Sequence, residues 1–183
     1  MIGANSSPRK PVRLFRILPV LALALLAGCG KSAIRSEIPK LICPSVGLVK
    51  DTTTLTRFRE GGTYDTGDVL YSAFLSNMSS NCMLDGNEVV SDVAFDVTGV
   101  KGPASGTDQI SLPYFVAVTT QGGGILSKQV YNSVIDLSRD GRGTVREHLN
   151  LHLDARGTKD LHEFEVLIGF QLSDDDLVYN LAH

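Results

Sequence analysis

The chain has 183 residues, 43% hydrophobic and 20% charged, with 17 Lys and Arg against 20 Asp and Glu. The balance of −3 argues against a nucleic-acid or acidic-membrane surface, because both need clustered Lys and Arg. The length suits one domain with a real core.

Arg9, Lys10, Arg13 and Arg16 precede the apolar run Ile17–Ala27, and no acidic residue occurs before Glu37. A run of about 11 residues fits the ~7–15 of a signal-peptide core and falls short of the ~20 that span a bilayer. Pro19 also argues against a stable membrane helix. The run ends in Leu26-Ala27-Gly28-Cys29. This stretch resembles the lipobox of bacterial lipoproteins at all four positions. The resemblance implies cleavage before Cys29, diacylglycerol on its thiol and two or three acyl chains, enough for durable membrane attachment. Residues 1–28 would then be a signal peptide, 29–40 a polar tether and 41–183 the folded domain. Gly30-Lys31, with no Asp after Cys29, resembles the sorting pattern that releases lipoproteins to the periplasmic face of the outer membrane. Cleavage removes four basic residues and no acid, so the mature chain carries −7.

With Cys29 acylated, Cys43 and Cys82 remain. In an oxidising compartment a disulfide is the natural reading; two separate buried thiols are the alternative. Without nearby His, two Cys do not make a zinc site.

From residue 41 onward, β-branched and aromatic runs alternate with Gly, Asp, Ser and Asn clusters. Leu41–Val49 contains Pro44 and reads as an edge or broken strand. Thr52–Phe58 is a Thr-rich strand, Arg59–Asp68 a loop and Val69–Asn77 a strand. Asn81–Glu88 reads as a turn. Val89–Val97 places Val93, Phe95 and Val97 on one face. Gly99–Gln109 is a loop. Ile110, Leu112, Tyr114, Val116 and Val118 alternate as a half-buried strand does. Gln121–Gly124 is a hairpin turn, Ile125–Leu137 its return strand and Ser138–Gly143 another turn. Thr144–Leu153 turns Val145, Leu149, Leu151 and Leu153 inward, with Arg146, His148, Asn150 and His152 opposite. Phe164, Val166, Ile168, Phe170 and Leu172 form the inward face of the last strand. Ser173 and Asp176 read as the cap of a short helix through Leu181. Seven or eight short antiparallel strands at this spacing predict an all-β, immunoglobulin-like β-sandwich with a short C-terminal helix.

Several segments are similar to small envelope lipoproteins of alphaproteobacteria. They include Cys43-Pro44 with Leu48-Val49, Leu55–Phe58, Pro113–Val118, Leu126–Val130, Val166–Leu172 and Leu177–Asn180. The likeness covers 41–181 and implies fold and location, without catalytic residues.

The sharpest chemical motif is the stretch from Asp136 to Glu147, which fits a Ca²⁺-loop spacing. Asp136, Ser138, Asp140 and Glu147 would give side-chain oxygens and Arg142 its carbonyl. The flanks are strand-like rather than helical, and Arg139, Arg142 and Arg146 crowd the proposed cation. The competing reading, a hairpin turn set by Asp140-Gly141 with a bulge at Gly143, is favoured. His148 and His152 would share a metal on a helix; on a strand they stand ~13 Å apart, too far for one ion. Asp65, Asp68 and Asp174–Asp176 read as a solvated loop and a helix N-terminus. No nucleophile, metalloprotease or phosphate-loop signature occurs, and no cofactor is implied. The expectation is a non-enzymatic, lipid-anchored envelope lipoprotein that contacts envelope proteins, with the 59–68 and 99–109 loops as contact regions. The alternatives are a Ca²⁺ or small-ligand carrier and an envelope hydrolase.

Overall fold

Alternating apolar side chains build two four-stranded sheets whose inward faces share one core. The computed structural model describes residues 43–120, 122–154, 156 and 164–183. The expected signal peptide, Cys29, the tether and His162 lie outside them. The strands are β1 (Ser45–Leu48), β2 (Thr54–Phe58), β3 (Val69–Asp85), β4 (Glu88–Lys101), β5 (Gln109–Thr120), β6 (Ile125–Asp136), β7 (Arg142–Asp154) and β8 (Phe164–Phe170). A helix, α1, covers Asp174–Ala182. One sheet has the order β1-β8-β5-β6 and the other β2-β3-β4-β7. No helix among the described residues is long and apolar enough to cross a membrane.

The result is an all-β sandwich, with two departures from the expected pattern. Strand β1 pairs with β8 in parallel, Val46 opposite Val166, so the set is not wholly antiparallel. The β2-β3-β4 meander also differs from the ABED and CFG order of an immunoglobulin constant domain; the likeness is one of two-sheet architecture.

The core is centred on Phe95, Leu112, Ile168 and Phe170, all fully buried, with Leu55 and Ile135 closing it from the edge strands. Phe95 meets Tyr114 edge-on, ring centroids 5.3 Å apart. The Tyr114 hydroxyl donates to Glu147 at 3.1 Å. Burial, then the nearby Glu147 charge, pushes its pKa well above the usual phenol range. The predicted inward faces of β4, β5 and β8 are the buried ones. Along β7, Val145, Leu149 and Leu151 are half-buried and Leu153 buried.

Strand β3 runs past the predicted stop at Asn77, through the stretch read as a turn, to Asp85. Only Gly86 and Asn87 remain as loop, between the Asp85–Glu88 pair. Gly86 has φ +59°, the first-position positive φ of a type II′ hairpin turn. Cys43 and Cys82 form a disulfide with Cα atoms 5.7 Å apart. It joins the residues leading into β1 to β3, so it staples one sheet to the other.

The cap predicted for α1 is present. The Ser173 side chain accepts from the Asp176 N–H, and Asp176 accepts from the Ser173 N–H at 3.0 Å.

Candidate functional site

Three connections meet where β3 begins. The Arg59 N–H donates to the Asp68 carbonyl at 2.9 Å, Gly102 to Leu70 at 2.8 Å and Ala104 to Val69 at 3.0 Å. The Lys101 N–H donates to Gly141 and that of Leu137 to Asp108, both at 2.7 Å. The 59–68 loop, the 102–108 loop and the 137–141 turn therefore form one end of the sandwich. Both expected contact loops lie there, although β4 takes residues 99–101 from the second.

Asp68 organises the first loop. Its side chain is 8% exposed. It accepts from the Thr63 N–H at 2.7 Å and the Thr63 hydroxyl at 3.1 Å, and pairs with Arg59. The Thr63 backbone donor, helped by the Thr63 hydroxyl and Arg59 and opposed by burial, holds its pKa below the usual carboxylate value. Asp65 accepts from the Gly67 N–H at 2.8 Å. Asp68 is thus a buried anchor, where the sequence suggested only a solvated cluster.

Held between these anchors, Tyr64 adopts φ +61°, a left-handed conformation that is uncommon for a bulky residue. The residue is 57% exposed, and its ring lies 5.1 Å from that of Phe58. Phe58 meets Tyr179 of α1 at 5.0 Å, and Tyr179 stacks on His183 at 4.3 Å. Beside this aromatic row, a groove of about 310 Å³ runs between the loop and the first turn of α1. Arg57, Arg59, Gly62, Tyr64 and Asp175 line it. Arg57 is tied to Asp176 at 3.2 Å.

Of the candidate Ca²⁺ loop, Asp136, Ser138, Asp140 and Arg142 line one open hollow with Arg139, and Glu147 stands apart from it. Asp136 ends β6 and accepts from the Ser138 N–H at 2.8 Å; Asp140 accepts from the Arg142 N–H at 3.2 Å. Hydrogen bonding from Ser138 is the main cause holding the Asp136 pKa low. Gly141, at φ +73°, makes the turn. Glu147 stands five residues into β7, roughly 16 Å along the strand from Arg142, and accepts from Tyr114. Gly143 pairs regularly with Gly99 rather than forming a bulge. A Cβ on Gly143 would come within 2.2 Å of the Asp136 carbonyl oxygen. Among the described residues no three His, Cys, Asp or Glu side chains gather so as to hold a metal.

His148 and His152 are exposed on the outer face of β7. His152 lies 3.2 Å from Glu88. His148 borders a shallow hollow of about 360 Å³ with Ser79, Asp92 and Asn150, where Asn150 donates to Asp92 at 2.6 Å. Among the described residues no His is hydrogen-bonded to a Ser or Cys.

One cluster on that face was not foreseen. A bulge in β3 puts Asn77 at φ +50°. Its amide donates to Asp96 at 2.7 Å, while Arg146 donates to Asp96 at 2.9 Å, to the Asn77 carbonyl at 2.6 Å and to Ser79 at 3.0 Å. Asn77, then Arg146, lowers the Asp96 pKa against partial burial. The arginine that crowds the supposed cation in the sequence instead locks three strands together.

No family model matches the chain, and no curated protein does. Among solved structures, the variable (V) domain of the AgI/II polypeptide BspA of Streptococcus agalactiae is similar at 10% identity and a TM-score of 0.19, covering 66% of this chain and 73% of that one. A superposition at that score has no weight for fold or function.

Proposed function

We propose that the chain is a non-enzymatic envelope lipoprotein, anchored through acylated Cys29 at the periplasmic face of the outer membrane and working through protein contacts. The Leu26-Ala27-Gly28-Cys29 stretch behind a basic segment and a short apolar run carries this reading. The domain geometry supports it. Cys43 is bonded to Cys82, 13 residues along β3 from Val69 and so roughly 43 Å from the loop end. Cys43, the first described residue of the domain, lies at the end of the sandwich opposite the 59–68 and 102–108 loops. Those loops, with the exposed Tyr64, are the contact surface in this reading, since strained exposed residues of this kind cluster at functional sites.

The test expresses the full chain and a Cys29→Ser variant in a bacterial envelope. Intact mass and membrane fractionation are then read. The wild type gains acyl mass and sediments with membranes, while Cys29→Ser loses both. An unacylated wild type, or a variant that stays equally membrane-bound, refutes the anchor. Crosslinking of Tyr64→Gly, which relieves the backbone strain but deletes the ring, tests the contact surface: unchanged partner capture excludes Tyr64.

A further inference from the structure

We infer that β6 is a pairing edge for a second copy of this chain, joined about a two-fold axis at Asn132. Among the described residues β6 is paired only with β5, which leaves a 12-residue edge. The other edge of the same sheet, β1, has four residues. Strand β7, the long edge of the facing sheet, carries Arg142, Arg146 and Asp154 outward, charges of the kind by which proteins keep edges unpaired. The outward row of β6 is charged only at its two ends, with an apolar stretch between them. Val130 and Val134 are both 52% exposed, with Lys128 on one side of them and Asp136 on the other.

The backbone of that row is also turned outward. The Leu137 N–H donates to the Asp108 carbonyl at 2.7 Å and continues the β5–β6 register, in which Gln109 faces Asp136. In an antiparallel ladder bonded and non-bonded pairs alternate. Odd-numbered residues from Ser127 to Ile135 are therefore bonded to β5, and residues 128, 130, 132 and 134 point N–H and C=O at the open edge, while the Asp136 carbonyl at the strand end lies against Gly143 of β7. Pro113 agrees. It faces Asn132 in a non-bonded pair, and its carbonyl accepts from Gln171 at 2.9 Å on the opposite side.

A two-fold axis at Asn132 places Val130 opposite Val134 of the second copy and Lys128 opposite Asp136 of the second copy, each twice. Facing positions carry aliphatic or opposite-charge pairs, which are the stabilising kinds. Other registers lose this match. Moving the axis by two residues leaves Lys128 or Asp136 facing Asn132, and moving it by one leaves Lys128 facing Val134 or Asp136 facing Val130. Lys128, now 4.6 Å over the Phe115 ring, has only to swing along the outer face. The product is an isologous dimer with one continuous eight-stranded sheet, and it does not depend on how the chain is anchored.

Sedimentation of the full chain tests this, with the charge swap as the decisive arm. Lys128→Glu or Asp136→Lys alone weakens the dimer roughly tenfold or more, since each puts like charges opposite one another at two symmetric points. The double variant restores it. Val130→Pro, which removes a donor aimed at the edge and none bonded to β5, gives monomer with a melting point within a few degrees of the wild type. Asn132→Cys forms a reducible crosslinked dimer, because residues facing across a bonded pair have Cα atoms ~5.5 Å apart; Val134→Cys does so far less. A monomer at all concentrations, a charge swap that fails to restore association, or equal crosslinking at 132 and 134 overturns the proposal.

Discussion

Removing the Cys43–Cys82 disulfide should lower stability by about 4 kcal/mol without changing the fold. The bridge closes a separation of 39 residues. In the chain-entropy account a loop of that size restricts the unfolded ensemble by about 13 cal/mol/K, or ~4 kcal/mol at 25 °C. For the 141 residues from Cys43 onward, an unfolding entropy of about 2.1 cal/mol/K per residue gives roughly 0.3 kcal/mol per degree. The melting temperature should therefore fall by about 13 °C. The perturbation is Cys43→Ala with Cys82→Ala, which removes the bond without burying a new polar group. The assay compares melts of the oxidised protein, the same protein in excess reductant, and the double variant. Reduced protein and variant should agree, and the urea m-value should rise because the untied denatured chain exposes more surface. A variant melting within about 3 °C of the oxidised wild type would refute the staple as a source of stability.

Three further outcomes follow from the packing and the turns. Phe95→Ala deletes a fully buried ring and its edge-on contact with Tyr114, and should cost about 3–5 kcal/mol in chemical denaturation. Ser173→Ala leaves the Asp176 N–H without its acceptor and should cost about 1 kcal/mol, read as a matching loss of melting temperature. Asp68 and Asp96 have folded pKa values below their ordinary ones, so their contribution is present above the unfolded pKa, near 4, and is lost as pH falls through the folded values. Melting temperature should drop from about pH 4 downward, and Asp96→Asn should flatten that slope; an unchanged slope would show that other carboxylates carry it.

The inward faces of β4, β5 and β8 were legible because Val, Ile, Phe and Leu recur there at period two. The far half of β3 was not. Ser79, Ser80, Asn81 and Asn87 look like turn chemistry, and the stretch 77–85 is mostly exposed. It stays in the sheet because β4 beside it buries Val89 and Val93 and because Cys82 is tied down. The parallel β1–β8 pairing was invisible for a different reason: alternation tells a strand which face it buries and nothing about its neighbour. At the loop end, Asp68 read as solvent-facing because Arg59 and Thr63, five to nine residues away, become its partners only when the loop closes. The left-handed Tyr64 had no signal, since such a backbone ordinarily calls for Gly or Asn.

The pairing of Ser45 with Glu165 joins segments 120 residues apart. Strand β1 has no ladder of its own until β8 has been made, so its sheet cannot close while the polypeptide is still being delivered. Contacts of such long sequence separation slow folding. A nascent chain ending before residue 164 would keep β5 and β6 as a bare hairpin, open to chaperones. Loss of the last 20 residues would accordingly be felt first at the beginning of the domain.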